Sequence, residues 1–339
     1  MSDVAGKNTS TTFTEEDRNR FREARILIRN EFCGLDEHQQ YTNAFSRLLK
    51  WDPLRRVPML GTDQRDQFVP IIRSGIAANQ TQAASVLDIG SGDGQTFALL
   101  SGAIPAGSTI DAIEPNAEYL KSFDARLTQQ ARLHRGSLRC APFTPDLLKN
   151  GDAAGSRHDL IFVIHALYFF DNLETSLLSI YQALAPGGAA FIVFADEQTA
   201  YTGLSYRAYM RAAGKTDLAE NHAELCRNRR TLFAQDQAQA GTLTDLINRR
   251  FGEAGAHMAV QRQETRLYGH SHSDIIALCN IAGLEVVLST DKFEAAADLI
   301  EHSPEAADFR IEADPTSVRY GMFSVLQPQI VATVRKIAR

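Results

Sequence analysis

From Ala84 onward the chain alternates short apolar runs with helical patterns: SVLDIG, TFALLSGAI, STIDAIE, AEYLKSFDARLTQQ, HDLIFVIHAL, LETSLLSIYQAL and GAAFIVFA. Unbroken runs of Val, Ile and Phe suit strands covered on both faces, and the helices between them supply the crossovers that parallel strands require. The pattern predicts an α/β chain with an open, mostly parallel seven-stranded sheet and helices on both faces. Pro186-Gly187-Gly188 is a turn that stops one helix and starts the next strand. Ahead of Ala84 the period is helical. RNRFREARILIRNEF is entered through Thr14 and Asp17, EHQQYTNAFSRLLKW follows Gly34, and RDQFVPIIRSGIAAN contains Pro70, with the loop-rich DPLRRVPMLGTD between the last two. This gives a flexible tail over residues 1–12, a helical N-terminal region over 13–83, and a sheet domain over 84–339. Inside that domain, the stretch from Tyr201 to His272 is long, polar and helical in period, and predicts a cap inserted at about 201–272. SDIIALCNIAG then reads as a helix, GLEVVLST as a strand and QPQIVATVRKIA as the last strand.

Charge and composition narrow the partners. A net charge of -6 argues against a nucleic acid or an anionic membrane, each of which favours clustered excess Lys and Arg. No run approaches the ~20 apolar residues of a membrane span, and MSDVAGKNTSTTFTEEDRNRF has no apolar core. The expectation is a cytoplasmic protein with a small-molecule partner, monomer or homodimer, its helical prefix closing as a lid or pairing with a second copy through Phe21, Ile26, Leu27, Ile28 and Phe32. Cys33, Cys140, Cys226 and Cys279 are scattered without CxxC pairs and read as reduced core thiols. His270 and His272 sit in a polar loop with Ser273 as a helix cap, so no metal is expected.

The chemistry concentrates in VLDIGSGDG, residues 86–94. A strand, VLDI, runs into a turn in which Gly90, Gly92 and Gly94 let the backbone bend sharply and let a ligand approach the main chain. By itself a glycine triplet is better explained by a tight strand-to-helix turn with no ligand. STIDAIEPN, however, ends a strand in Glu114, 20 residues after Gly94, where a carboxylate accepts hydrogen bonds from both hydroxyls of a ribose. A dinucleotide-binding oxidoreductase uses similar parts, but its Gly-x-Gly-x-x-Gly spacing serves a pyrophosphate. Here the spacing is Gly-x-Gly-x-Gly, and the carboxylates of Asp88 and Asp93 suit a cationic amino-acid ligand better than a pyrophosphate.

D-x-G-x-G-x-G followed by Glu at the end of the next strand resembles the Rossmann-like (class I) methyltransferases. The resemblance implies S-adenosyl-L-methionine as cofactor, with Asp88, Gly90, Ser91, Gly92, Gly94 and Pro115 around it, Glu114 at the ribose, and Pro142, Phe143 and Thr144 near adenine. YTNAFSRLLK, AIEPNAEYLKSF and DLIFVIHALYFFDNLETSLLSIYQAL are similar, in that order, to histamine N-methyltransferase and its relatives over roughly residues 40–200. That closer resemblance implies cofactor contacts at Tyr119, Thr144 and Ile164, and acceptor-pocket positions at His165, Tyr168 and Phe169. His165 and Phe169 stand where that group has a glutamine and a tyrosine, which predicts an acceptor other than histamine.

The function expected is methyl transfer to a nitrogen or sulfur of a small polar metabolite: an amine, an amino acid or a thioether such as methionine. His165, at the end of a strand, is the candidate base or hydrogen-bond partner, with a half-buried structural histidine as the equal alternative. Tyr168 and Phe169 are aromatic faces for a cationic centre, and Arg229, in Arg227-Asn228-Arg229-Arg230, is a candidate for a substrate carboxylate. Other readings are an O-methyltransferase, a non-catalytic S-adenosylmethionine sensor or partner protein, and an NAD-type oxidoreductase.

Overall fold

A computed structural model describes residues 15–35, 37–47, 49–52, 57–80, 82–149, 157–170, 172–195, 243–271, 273–274, 277, 312–313 and 323–338. The chain divides into two compact units: Met1–Thr62, Ala200–Gly214 and Arg266–Leu326 form one, and Asp63–Thr199, Lys215–Thr265 and Gln327–Arg339 form the other.

The first unit begins with α1 (Glu15–Phe32) and α2 (Glu37–Ser46). Ala24, Ile28 and Phe32 recur at a spacing of four on α1 and are buried, whereas Ile26 and Leu27 are more than half exposed. Part of the stretch read as loop is paired backbone: β1 (Leu49–Asp52) and β2 (Val57–Leu60) are antiparallel. Pro58 starts no ladder bond and tolerates an isolated pair, which a scan for long apolar runs passes over. In the same unit β9 (Arg266–Gly269), β10 (Glu312–Ala313) and β11 (Phe323–Leu326) form a small sheet in the order β10-β11-β9.

The second unit holds the large sheet. After α3 (Gln64–Asn79), β3 (Ser85–Ile89), α4 (Gln95–Ser101), β4 (Thr109–Ile113), α5 (Ala117–Thr128), β5 (His134–Arg139), α6 (Pro145–Lys149), β6 (His158–Ile164), α7 (Leu173–Ala183) and β7 (Leu184–Ala195) follow in turn. The unit is completed by α8 (Leu243–Glu253), β8 (His257–Gln263) and β12 (Gln329–Arg335). The seven strands lie in the order β5-β4-β3-β6-β7-β12-β8, parallel except for β12, which runs antiparallel to both neighbours. The seven-stranded, mostly parallel α/β sheet is therefore as the apolar pattern predicts.

The alternation that marks a strand buried on both faces is visible in the core. Leu87 and Ile89 pack on one side with Ile161, Val163, Ile192 and Phe194, and Val86 packs on the other with Leu160, Phe162, Phe191 and Val193. Chain order reverses between β3 and β6: β3, β4 and β5 step outward one way, β6 and β7 the other. Such a reversal leaves a crevice at the carboxyl ends of the two central strands.

Two expectations are corrected. The helical cap placed at about 201–272 does not extend through that range, because residues 257–263 are β8, an edge strand of the large sheet. β8, HMAVQRQ, alternates exposed and half-buried positions as an edge strand does, so it carries no apolar run. Cys33 and Cys140 are exposed rather than core thiols. Arg229, Cys226, Cys279, His272 and the predicted strand GLEVVLST lie outside the described residues. Among the described residues no helix is long and apolar enough to cross a membrane.

Candidate active site

The glycine turn forms because β3 ends against two strands at once. Gly90 N donates to Ile113 O of β4 at 2.8 Å. A Cβ on Gly90 would lie 2.5 Å from Ala166 Cβ in the segment after β6, so the turn passes directly against that segment. Gly90, Gly92 and Gly94 have φ of 71°, 55° and 81°, the left-handed region that other residues enter only at a cost. The three glycines singled out in the sequence are thus required by backbone conformation, and Gly90 by space as well.

Glu114 follows the last residue of β4 and turns back onto the glycine turn. Its Oε2 accepts from Gly92 N at 2.9 Å and its Oε1 from Asn116 N at 3.0 Å. Each oxygen keeps a lone pair, enough to accept from a vicinal pair of hydroxyls as well. Asn116 caps α5 by accepting from Glu118 N and Tyr119 N. The half-buried Tyr119 phenol is kept protonated by burial and by the charges of Asp93 and Glu114, which puts a hydroxyl donor beside the same two carboxylates.

The two turn carboxylates have different fates. Asp93 is consumed locally: it accepts from Gln95 N and Gln95 Nε2 at 3.1 and 2.7 Å, and pairs with Arg126 at 3.4 Å. Asp88 is buried beside Glu114, and burial first, then the neighbouring charge, pushes its carboxyl up to about 7. A cation arriving next to Asp88 would draw off that proton. Ser91 Oγ in the same turn is buried with no hydrogen-bond partner among the described residues. A buried carboxyl without a countercharge and a buried hydroxyl without a partner, both among the described residues, suit a cationic, polar ligand. The residues fit S-adenosylmethionine: Asp88 for the cationic amino-acid end, Glu114 for the ribose, and the turn backbone for close approach.

Across the crevice, His165 follows β6 with its N donating to Val193 O at 2.8 Å and a φ of 53°, the one described non-glycine residue at positive φ. Backbone strain of this kind concentrates where side-chain aim matters. Its ring lies edge-on to Phe68 of α3, centroids 6.1 Å apart. Burial, with the positive charge of Arg65 as second cause, lowers the imidazole to about 4. The ring is therefore neutral near pH 7 and too weak a base to deprotonate an ammonium group efficiently, so its role narrows to hydrogen bonding.

Arg65, absent from the residues read in the sequence, reaches this region from the first turn of α3. Its Nη1 donates to Gln95 Oε1 at 3.0 Å, and burial lowers it to about 10 despite the attraction of Asp93. A guanidinium between the glycine turn and His165 is a natural partner for a ligand carboxylate. Nothing in RDQFVPII marks it out except an Arg at the start of an otherwise apolar helix face.

The other predicted positions scatter. Pro115 is exposed, with its carbonyl accepting from Cys140 Sγ at 3.6 Å, which joins the segments after β4 and β5. Phe143 faces the core, its ring 4.6 Å from that of Phe170, while Thr144 is exposed and Ile164 half-buried. Phe169 is 54% exposed, so in this structure it closes no pocket. The Tyr168 side chain lies outside the described residues.

Residues 62–288 match the family model described as "Methyltransferase domain". No curated protein sequence matches the chain. Among solved structures, a provisionally named methyltransferase of Bacillus halodurans is similar at 15% identity over 79% of this chain and 98% of its own, with a TM-score of 0.50. The YcgJ protein of Bacillus subtilis is similar at 13% identity over 79% and 97%, TM-score 0.48. The plantazolicin methyltransferase BpumL, solved with a desmethylplantazolicin analogue and S-adenosylhomocysteine, is similar at 15% over 96% and 100%, TM-score 0.44.

Proposed function

We propose an acceptor for a chain that belongs to the methyltransferase-domain family, and for which S-adenosylmethionine is the methyl donor: a nitrogen or sulfur of a small polar metabolite. When bound, that donor supplies an electrophilic methyl group on a sulfonium centre. Transfer of the methyl is an in-line displacement, so the protein contributes chiefly alignment to ~3–3.5 Å and exclusion of water. Asp88 and Glu114 hold the donor's amino-acid and ribose ends, and Gly90, Ser91, Gly92 and Gly94 shape the turn between them. Arg65 offers a cation for a carboxylate. His165, neutral and half-buried on the acceptor side of the switch point, accepts a hydrogen bond from a nucleophile that bears a proton and orients its lone pair.

The observation that carries this reading is the approach of the two segments at Gly90 and Ala166, which sets a buried carboxylate pair on one side of the crevice and the strained His165 on the other. An acidic overall surface, net charge -6, agrees with a small acceptor rather than a polyanion. The test is incubation with S-adenosylmethionine and a panel of amines, amino acids and thioethers, reading S-adenosylhomocysteine release. Turnover with a member of the panel supports the reading. Turnover confined to phenols or to peptides would replace it.

A further inference from the structure

We propose that Arg65 is a specificity-determining residue: its guanidinium takes a carboxylate of the methyl acceptor, which makes the acceptor an amino acid or another small carboxylate-bearing nucleophile rather than a simple amine. The proposal rests on the reading of a small polar acceptor in the crevice between β3 and β6, and it narrows that reading to one substrate class.

Arg65 stands in the first turn of α3, one turn before Phe68. Residues at that spacing lie on one face of a helix, so the Arg65 side chain and the Phe68 ring leave α3 in the same direction. Phe68 packs edge-on against the His165 ring, centroids 6.1 Å apart. On its other flank Arg65 Nη1 donates to Gln95 Oε1 at 3.0 Å, where α4 begins at the end of the glycine turn. The guanidinium is therefore held between the donor-binding turn and the residue that follows β6.

What holds Arg65 in place leaves its charge unanswered. Its hydrogen-bond partner is a neutral amide, and among the described residues no carboxylate forms an ion pair with it. The neighbouring Asp93 is already committed: it accepts from Gln95 N and Gln95 Nε2 at 3.1 and 2.7 Å and pairs with Arg126 at 3.4 Å. The side chain is half-buried, and the loss of hydration lowers it to about 10. A guanidinium still keeps its proton at neutral pH, so a desolvated fork with most of its donors unused calls for an anion. Asp88, Asp93 and Glu114 in the same crevice weigh against a phosphate dianion, which leaves a singly charged carboxylate.

The donor also carries a carboxylate, at its methionyl end. The acceptor is favoured because Arg65 shares with Phe68 the α3 face that meets His165, across the crevice from the ends of β3 and β4. A simple ammonium ion arriving beside Arg65, with Arg126 adding a second positive charge nearby, would be repelled. An amino acid brings its own countercharge. Its carboxylate, gripped by two parallel hydrogen bonds, sets the reacting atom at a fixed distance from the donor methyl.

The test is calorimetric titration of the full chain saturated with S-adenosylhomocysteine, using amino acids and, for each, the amine that lacks the carboxyl group, such as histidine with histamine and tyrosine with tyramine. At least one amino acid should bind the wild-type complex about tenfold or more tightly than its amine. Arg65→Gln should abolish that preference by weakening the amino acid about tenfold or more, and Arg65→Lys, a point charge without the planar fork, should fall between. Affinity for S-adenosylhomocysteine itself should change by less than about threefold in both variants, which also shows that the site around the glycine turn is intact. No amino acid binding to the wild-type complex, amines bound as well as amino acids, or an amino-acid affinity unaltered in Arg65→Gln would overturn the proposal. So would a loss of S-adenosylhomocysteine as large as that of the amino acid, which would assign the donor's own carboxylate to Arg65. A chain that binds amino acids through Arg65 and transfers no methyl group to any compound keeps this inference and fails the proposed function. One that methylates simple amines alone does the reverse.

Discussion

Asp88→Asn should stabilise the ligand-free protein at high pH and weaken its hold on the donor. The Asp88 carboxyl is raised from 3.8 to about 7 by burial and by Glu114. In the unfolded chain it titrates near ~3.9. The folded state thus holds this proton more tightly than the unfolded state does. Its contribution to stability is full below about pH 4, falls as pH rises, and is lost above about pH 7. Three pH units at about 1.4 kcal/mol each bound the loss at about 4 kcal/mol, and relaxation of the site brings it to roughly 1–3 kcal/mol. Asparagine has nearly the same shape and does not titrate. The difference in urea unfolding free energy, wild type minus Asp88→Asn, should therefore fall by about two thirds of that amount between pH 5 and pH 8. Taking the change with pH removes any fixed cost of the amide. In the same samples, calorimetric titration should show S-adenosylmethionine binding weakened about tenfold or more by the substitution, and a proton released on binding to the wild type at pH 6 but not to the variant. A stability difference that does not change with pH, or donor binding with no proton release, would refute the assignment of Asp88 as an uncompensated buried carboxyl.

Two further outcomes follow from the same geometry. Gly90→Ala must place a methyl 2.5 Å from Ala166 Cβ at a φ of 71°, whereas Gly92→Ala meets open space at a φ of 55°. Urea melts should show about 2–4 kcal/mol lost for the first and about 1 kcal/mol for the second, because strain applies to both and overpacking to one; equal losses would mean that the turn does not press on the segment after β6. With His165 lowered to about 4, the rate of methyl transfer at saturating donor should show no titration of the imidazole between pH 6 and 9. Any slope there should track the ammonium pKa of the acceptor when an acceptor series is compared, and a fixed inflection near 6.5 that disappears in His165→Gln would restore a base role to the ring.

What could be read from the sequence followed burial. The central strands β6 and β7 carry unbroken apolar runs, LIFVI and AAFIVFA, and β3 and β4 are, after their first residue, apolar but for one Asp each, which gives the sheet away. The two edge strands, HRGSLR and HMAVQRQ, have a wet face and blend into polar sequence. That is why the second of them reads in sequence as part of a cap. At the site, the glycines and Glu114 were legible because a positive φ and a ribose acceptor each demand a particular residue at a particular spacing. Arg65 was not, since what it does depends on α3 reaching the crevice from a distant part of the chain. The pKa of His165 was likewise invisible, because it is set by burial and by Arg65 rather than by its neighbours in sequence.

The central claim is that the carboxyl ends of β3 and β4 bind the donor nucleoside. The direct measurement is equilibrium titration of the wild type and of Glu114→Ala with S-adenosylhomocysteine, with NAD as the comparison ligand. S-adenosylhomocysteine should saturate the wild type, and removing the ribose carboxylate should weaken it by about 30-fold or more, the loss expected when charge-assisted hydrogen bonds are removed. NAD should leave the protein unliganded. Undetectable S-adenosylhomocysteine binding, equal affinity in Glu114→Ala, or tighter binding of NAD would contradict the account.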